Sequence, residues 1–193
     1  MTELVAAAEP GRLARVETDR AVVAYRRGDA SQATALGPAA LACARTASDP
    51  GATAQALNVP GMLTVRAGDT AAAETYLPDS LAEARRRPEL SAGPGGDPPL
   101  GSTVAALNNL ARLLAETGRG REARPVAAEA LRLGSELGDQ HRVAALHTNM
   151  ADLLHADGQR EAALAHLKEA ARRFASVDVG DAPRPEIWTL VEW

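Results

Sequence analysis

Four histidines, one cysteine and two glycine-rich stretches are the residues whose types could bind a metal, attack a carbonyl or cradle a phosphate. Their spacing supports none of these. His141, His147, His155 and His166 form no i, i+4 pair on one helical face. The single cysteine, Cys43, can neither complete a metal set with them nor form an internal disulfide. It lies in an alanine-rich run, where a buried, inert thiol is expected. Asp152 and His155 share a face at i, i+3, but two donors fall short of the ligand set a metal needs. The stretch GRGREA (118–123) reads as a helix turn without the strand that a phosphate-binding fingerprint requires. In GPGGDPPLG (93–101) the prolines remove the N–H groups such a cradle would use. No Walker A sequence and no GxSxG occurs. The expectation is a non-enzymatic chain with no catalytic residue, metal or cofactor.

Charge narrows the partners. A net charge of −4 and a pI near 5.6 argue against nucleic acid and anionic membranes, which require a basic footprint. The run Arg85-Arg86-Arg87 reads as a solvated helix end. No apolar run approaches the roughly 18 residues of a membrane span. The start, MTELVAAAEPGR, lacks the basic region and apolar core of a signal peptide, so a cytoplasmic location is expected.

The elements that position these side chains are helices. Apolar residues make up 46% and aromatics only 3%, with alanine abundant. That favours helices packed at short distance over a sheet. The stretch ALNNLARLLAETGRGREA (106–123) is followed by the closely similar ALHTNMADLLHADGQREAA (145–163). Gly28, Gly68, Gly118 and Gly158 stand 40, 50 and 40 residues apart. The longer interval holds PELSAGPGGDPPLGS (88–102), whose prolines and glycines read as an inserted loop.

Each unit therefore reads as helix, tight turn, helix. Leu107, Leu110, Ala111 and Leu114 form one buried stripe, and Leu146, Met150, Ala151 and Leu154 form another. Ala33, Ala73, Ala123 and Ala163 lie five residues past the turn glycines, and Ala40, Ser80, Ala130 and Ala170 seven residues further on. Small residues there let paired helices approach closely. Asp29, Asp69 and Asp139 are expected helix caps, and Asp49-Pro50 a cap followed by proline at the first helical position.

These units resemble tetratricopeptide repeats, helix pairs of about 34 residues, in a longer-linker variety of about forty. LNNLARLLAETGRGREA is similar to repeats of kinesin light chains and of bacterial regulators and signalling ATPases. The resemblance implies an all-α fold, a right-handed α-α superhelix of about four helix hairpins over residues 1–176. Its repeats run approximately 14–48, 50–87, 103–138 and 140–176. Residues 177–193, with Trp188 and Trp193, form an expected C-terminal capping segment. A free docking motif is the alternative for this tail.

The resemblance also implies a surface. First helices of successive repeats line a concave groove, which here offers Gln55, Asn58, Met62 and Arg66, then Asn108, Asn109, Arg112 and Glu116, then Thr148, Asn149, Asp152 and His155. In similar proteins asparagines at such places hold peptide main chains, and an amide can donate and accept at once. Asn58, Asn108, Asn109 and Asn149 occupy those places. Arg66 and Arg112 could pair with a carboxylate. Lys168 is the only lysine, so a lysine-rich clamp for chaperone carboxyl termini is absent. The expected function is a scaffold binding a protein or peptide segment, in a bacterial regulatory or adaptor role. The alternatives are a self-association unit forming a homodimer and a receptor for a small signalling peptide.

Three prolines conflict with this pattern. Pro38, Pro60 and Pro78 fall inside helices, where each costs about 3 kcal/mol if the helix stays straight. Kinks or restarts are expected, foremost at Gly37-Pro38. Pro125 is expected near the first turn of its helix, where the cost is smaller.

Overall fold

The computed structural model describes residues 2–86 and 99–176, which form eight helices and no strand. They are α1 (Thr2–Arg26), α2 (Ala30–Thr46), α3 (Pro50–Ala67), α4 (Thr70–Arg86), α5 (Pro99–Glu116), α6 (Gly120–Leu137), α7 (Gln140–Ala156) and α8 (Arg160–Ser176). Helices pack most closely within the pairs α1–α2, α3–α4, α5–α6 and α7–α8, and each pair joins the next through α2–α3, α4–α5 and α6–α7. The first helices, α1, α3, α5 and α7, also touch one another in succession, forming one wall of an all-α helical-repeat superhelix. The expected capping tail, residues 177–193, lies outside the described residues.

The turn glycines adopt the conformation their spacing implies. Gly28, Gly68, Gly118 and Gly158 have φ of 84°, 76°, 76° and 76°, a region that side chains with a Cβ rarely occupy. The N–H after each glycine bonds to the carbonyl five residues back, as in Asp69 to Thr64 at 2.9 Å and Gln159 to Leu154 at 2.8 Å. This closes the preceding helix and satisfies its last carbonyls. Where an aspartate follows the turn it caps the next helix: Asp29 accepts from the Gln32 N–H at 2.8 Å, Asp69 from Ala72 at 3.1 Å and, after Gly138, Asp139 from Arg142 at 2.9 Å, whereas Arg119 before α6 makes no side-chain cap bond. Asp49 accepts from both Gly51 and Ala52, with Pro50 at the first helical position. At the junction before α3, Ser48 takes φ 51°, the role that Gly138 (φ 72°) fills before α7.

Close approach within pairs rests on the small residues. Ala33, Ala73, Ala123 and Ala163, with Ala40, Ser80, Ala130 and Ala170, are all at most 3% exposed. The Ser80 hydroxyl donates to the Ala54 carbonyl at 2.8 Å, so its burial leaves no unmet polar atom on that side chain. Gly61 in α3 is needed for the same reason, since a Cβ there would meet Leu77, 2.7 Å from its Cγ. The cores differ along the stack. Between α1, α2 and α3 they consist of alanines with Val59 and Leu63. Around α5 to α8 they contain Leu107, Leu114, Leu133, Leu146, Met150, Leu153 and Leu154. A fully buried leucine stabilises by about 1.5–3 kcal/mol, so the second half carries more of the hydrophobic driving force.

The helices do not restart at the prolines. α2 runs through Pro38, α3 through Pro60, α4 through Pro78 and α6 through Pro125, which is the sixth residue of its helix and so beyond the first turn. The expectation of breaks is corrected by where the prolines point. Pro38, Pro78 and Pro125 are exposed, and so are Thr34, Glu74 and Arg121, four residues back, whose carbonyls lose a helical donor. Water can replace that donor on a solvent-facing side. Pro60 is half-buried and borders an outer cleft.

Two further boundaries and one burial differ from the sequence reading. α5 begins at Pro99, inside the expected loop 88–102, and α1 begins at Thr2, well before residue 14. Cys43 is half-buried rather than buried, because it sits at the edge of the alanine cluster of α1 to α3.

Candidate binding groove

The inner wall carries the polar residues singled out above. Asn58, Asn108 and Asn109 line a groove of about 430 Å³ with Gln55 and Met62 from α3. Helix α1 adds Thr18, Asp19 and Val22, and α7 adds Arg142. The Arg142 side chain is fixed by the Gly101 carbonyl at 3.0 Å and by Asp139 at 3.3 Å. Further along, Arg112, Asn149 and Asp152 line a second hollow of about 240 Å³ between α5 and α7. Arg66 is not brought to either. It lines an outer cleft of about 630 Å³ with Pro38, Pro60 and Tyr76.

All four asparagines of the chain lie on this wall, and they are joined in pairs. The Asn109 amide donates to Asn58 Oδ1 at 3.0 Å, and the Asn149 amide donates to Asn108 Oδ1 at 2.6 Å. The two bonds are the same bond repeated. Asn58 and Asn108 each stand ten residues before a turn glycine, while Asn109 and Asn149 stand nine before theirs. Each therefore links a repeat to its successor across the groove floor. An amide has about four hydrogen-bonding positions, so one side-chain bond leaves further capacity for a main chain laid above it.

Electrostatics vary along the groove. Arg112 approaches Glu116 at 3.7 Å, a loose pair. Burial pushes the Asp152 carboxyl above its ordinary range, an effect that Arg112 and His155 partly offset. On the far side of α7, His147 and His166 meet at 2.9 Å through their Nδ1 atoms. Burial pulls both imidazoles below the usual histidine range, and for His147 the neighbouring His166 and Arg173 add to it. One ring must donate and the other accept, so the contact exists only while at least one is neutral.

Sequence reasoning missed several lining residues. The start of α5 escaped because the loop was extended to residue 102, and α1 because its sequence carries no clear apolar stripe. The signal was present: GATAQALN (51–58) and GSTVAALN (101–108) each begin seventeen residues before a turn glycine. The outer cleft was also legible. Gly37 and Leu77 both follow a turn glycine by nine residues, and Pro60, Leu110 and Met150 all precede one by eight. Small or ring-closed residues at those two positions leave space that leucine or methionine fills elsewhere.

A stack of helix pairs with a lined inner wall defines a helical-repeat interaction scaffold. The tetratricopeptide repeat family matches residues 102–176, which are the third and fourth helix pairs. Over that stretch the chain resembles the tetratricopeptide repeats, and such repeats generally mediate protein–protein interactions. No curated protein matches the sequence. Among solved structures, the crystal structure of BtubC (BKLC) from P. vanneervenii is similar, at 20% identity and a TM-score of 0.56. The match covers 96% of this chain and 63% of that one, so this chain spans under two thirds of its length. At that identity the likeness concerns the fold. No described helix is long and apolar enough to cross a membrane.

Proposed function

We propose that this protein is a non-enzymatic scaffold that holds an extended protein or peptide segment along the wall of α1, α3, α5 and α7. The observation that carries this reading is the repeated Asn58–Asn109 and Asn108–Asn149 bond, which sets amides along one line. The half-buried Asn58, Asn108 and Asn149 engage the segment's main chain, with Asn109, only 8% exposed, holding Asn58 in place, while Arg112 and Asp152 meet side chains. Arg66 stands apart and would contact the segment's partner only around the outer surface. The role is that of a cytoplasmic regulatory adaptor in a bacterium, and a small signalling peptide would suit the same groove. Affinity capture from source lysate tests this, with wild-type bait beside an Asn108→Ala, Arg112→Ala, Asn149→Ala variant of equal helicity. A partner kept by the first and lost by the second supports the groove; equal retention removes it.

Self-association is the second reading, favoured by one observation. Leu13, Val16 and Val23 on α1 are 49%, 52% and 46% exposed, an apolar strip along that helix. Light scattering across a hundredfold concentration range decides it: a constant monomer mass excludes this reading.

A further inference from the structure

The hollow between α5 and α7 differs in character from the rest of the groove. Its floor is apolar, formed by the buried Ala111 and Leu153, and its rim carries the exposed Ala156 with Arg112, Glu116 and Asp152. Two carboxylates face one guanidinium, leaving a net charge of one negative unit. The guanidinium is only loosely engaged, 3.7 Å from Glu116. His155 is the other titratable group facing Asp152. Desolvation at Asp152 is incompletely offset, since burial outweighs the influence of Arg112 and His155. Asn149, which ends the asparagine line, borders the same hollow.

Three kinds of side chain could enter from a segment lying on the asparagines. An acidic one would add a third carboxylate. A neutral apolar one would cover the floor and take the exposed Asp152 out of water without a new counter-charge, which is costly. A long side chain with a terminal cation satisfies both parts, its methylenes on the alanines and leucine and its charge at the rim. We propose that this hollow is a specificity subsite for a lysine or arginine side chain of the bound segment. The inference rests on the groove reading for the direction from which the side chain arrives, and on charge and shape for its identity.

The subsite can be tested without knowing the natural partner. The intact protein is titrated with Nα-acetyl-lysine methylamide, and separately with its norleucine and glutamate counterparts, while amide shifts are followed by NMR. The lysine probe is expected to give saturable shifts confined to residues 111–116 and 149–156. The neutral and acidic probes should bind at least tenfold more weakly, and Asp152→Asn, nearly isosteric, should remove the preference while leaving the spectrum otherwise folded. Equal response to lysine and norleucine, shifts centred elsewhere, or a preference that survives Asp152→Asn each overturn the proposal. A second arm separates it from the groove reading. A pentapeptide with alanines around the same lysine should bind several-fold tighter than the single residue and lose that gain in Asn108→Ala. If the pentapeptide gains nothing while the lysine probe still binds, the subsite stands and the main-chain groove fails.

Discussion

Gly37 and Gly61 provide a paired test of how tightly this stack is packed. Both lie inside helices of the first two repeats, where alanine is intrinsically better than glycine by roughly 0.5–1 kcal/mol. A Cβ added at Gly37 meets nothing within 4 Å beyond its chain neighbours, because the outer cleft lies over it, but the ring of Pro38 crowds a Cβ on the helical residue before it. Gly37→Ala should therefore lose most of that gain and stay within about 0.5 kcal/mol of the wild type. A Cβ at Gly61 would lie 2.7 Å from Leu77 Cγ, and Leu77 is fully buried with no room to swing away. Overpacking of this kind costs about 1–3 kcal/mol, so Gly61→Ala should be net destabilising by about 1 kcal/mol. For a chain of this length each kcal/mol moves the midpoint by about 2–4 °C. The two variants should then melt about 2–4 °C apart by far-UV circular dichroism, with Gly61→Ala the lower. A Leu77→Val change added to Gly61→Ala should recover part of the loss, as expected for residues in contact. A midpoint for Gly61→Ala at or above that of Gly37→Ala would falsify the packing argument.

Three further outcomes follow from the same geometry. Ser48→Gly should stabilise by about 1 kcal/mol in urea titration, since Ser48 holds φ 51° at a cost glycine avoids; destabilisation would mean its side chain contributes more than its backbone strains. Amide exchange should be faster across residues 20–85 than 103–175, because the first half buries fewer leucines and more of its core is alanine; equal protection would contradict it. The histidine pair links stability to pH. Both folded pKa values lie below the unfolded one of about 6.5, so the folded state binds fewer protons and the pair's contribution is present above that value. It is lost as pH falls through the lower folded values, so unfolding midpoints should drop between pH 7.5 and 5. A His147→Asn, His166→Asn variant should flatten that drop, and an unchanged slope would exclude the pair as its source.

The repeat was legible because its turns need left-handed glycines, and a requirement that strict leaves a countable pitch in the sequence. The small residues at Ala33, Ala40 and their counterparts were legible for the same reason, since only a short side chain fits between closely packed helices. The prolines misled because sequence gives their phase within a helix but not which side of it faces water. Pro38, Pro78 and Pro125 fall on the solvent side, where a carbonyl that loses its helical donor is within reach of water. The asparagines could be placed on one wall by repeat position, but not their mutual bonds. Asn58 and Asn109 are 51 residues apart, and only the packing of α3 against α5 brings them together. The histidine pair is similar, since i, i+4 spacing governs contacts along one helix and His147 and His166 lie on two.

The central claim is that the inner wall, rather than the outer helices, receives the partner. Hydrogen exchange on the captured complex tests it most directly, comparing free and bound protein peptide by peptide. The claim requires protection concentrated in α3, α5 and α7, strongest over 101–116 and 145–156. Protection confined to α2, α4, α6 and α8, with the asparagine-bearing helices unchanged, would contradict it.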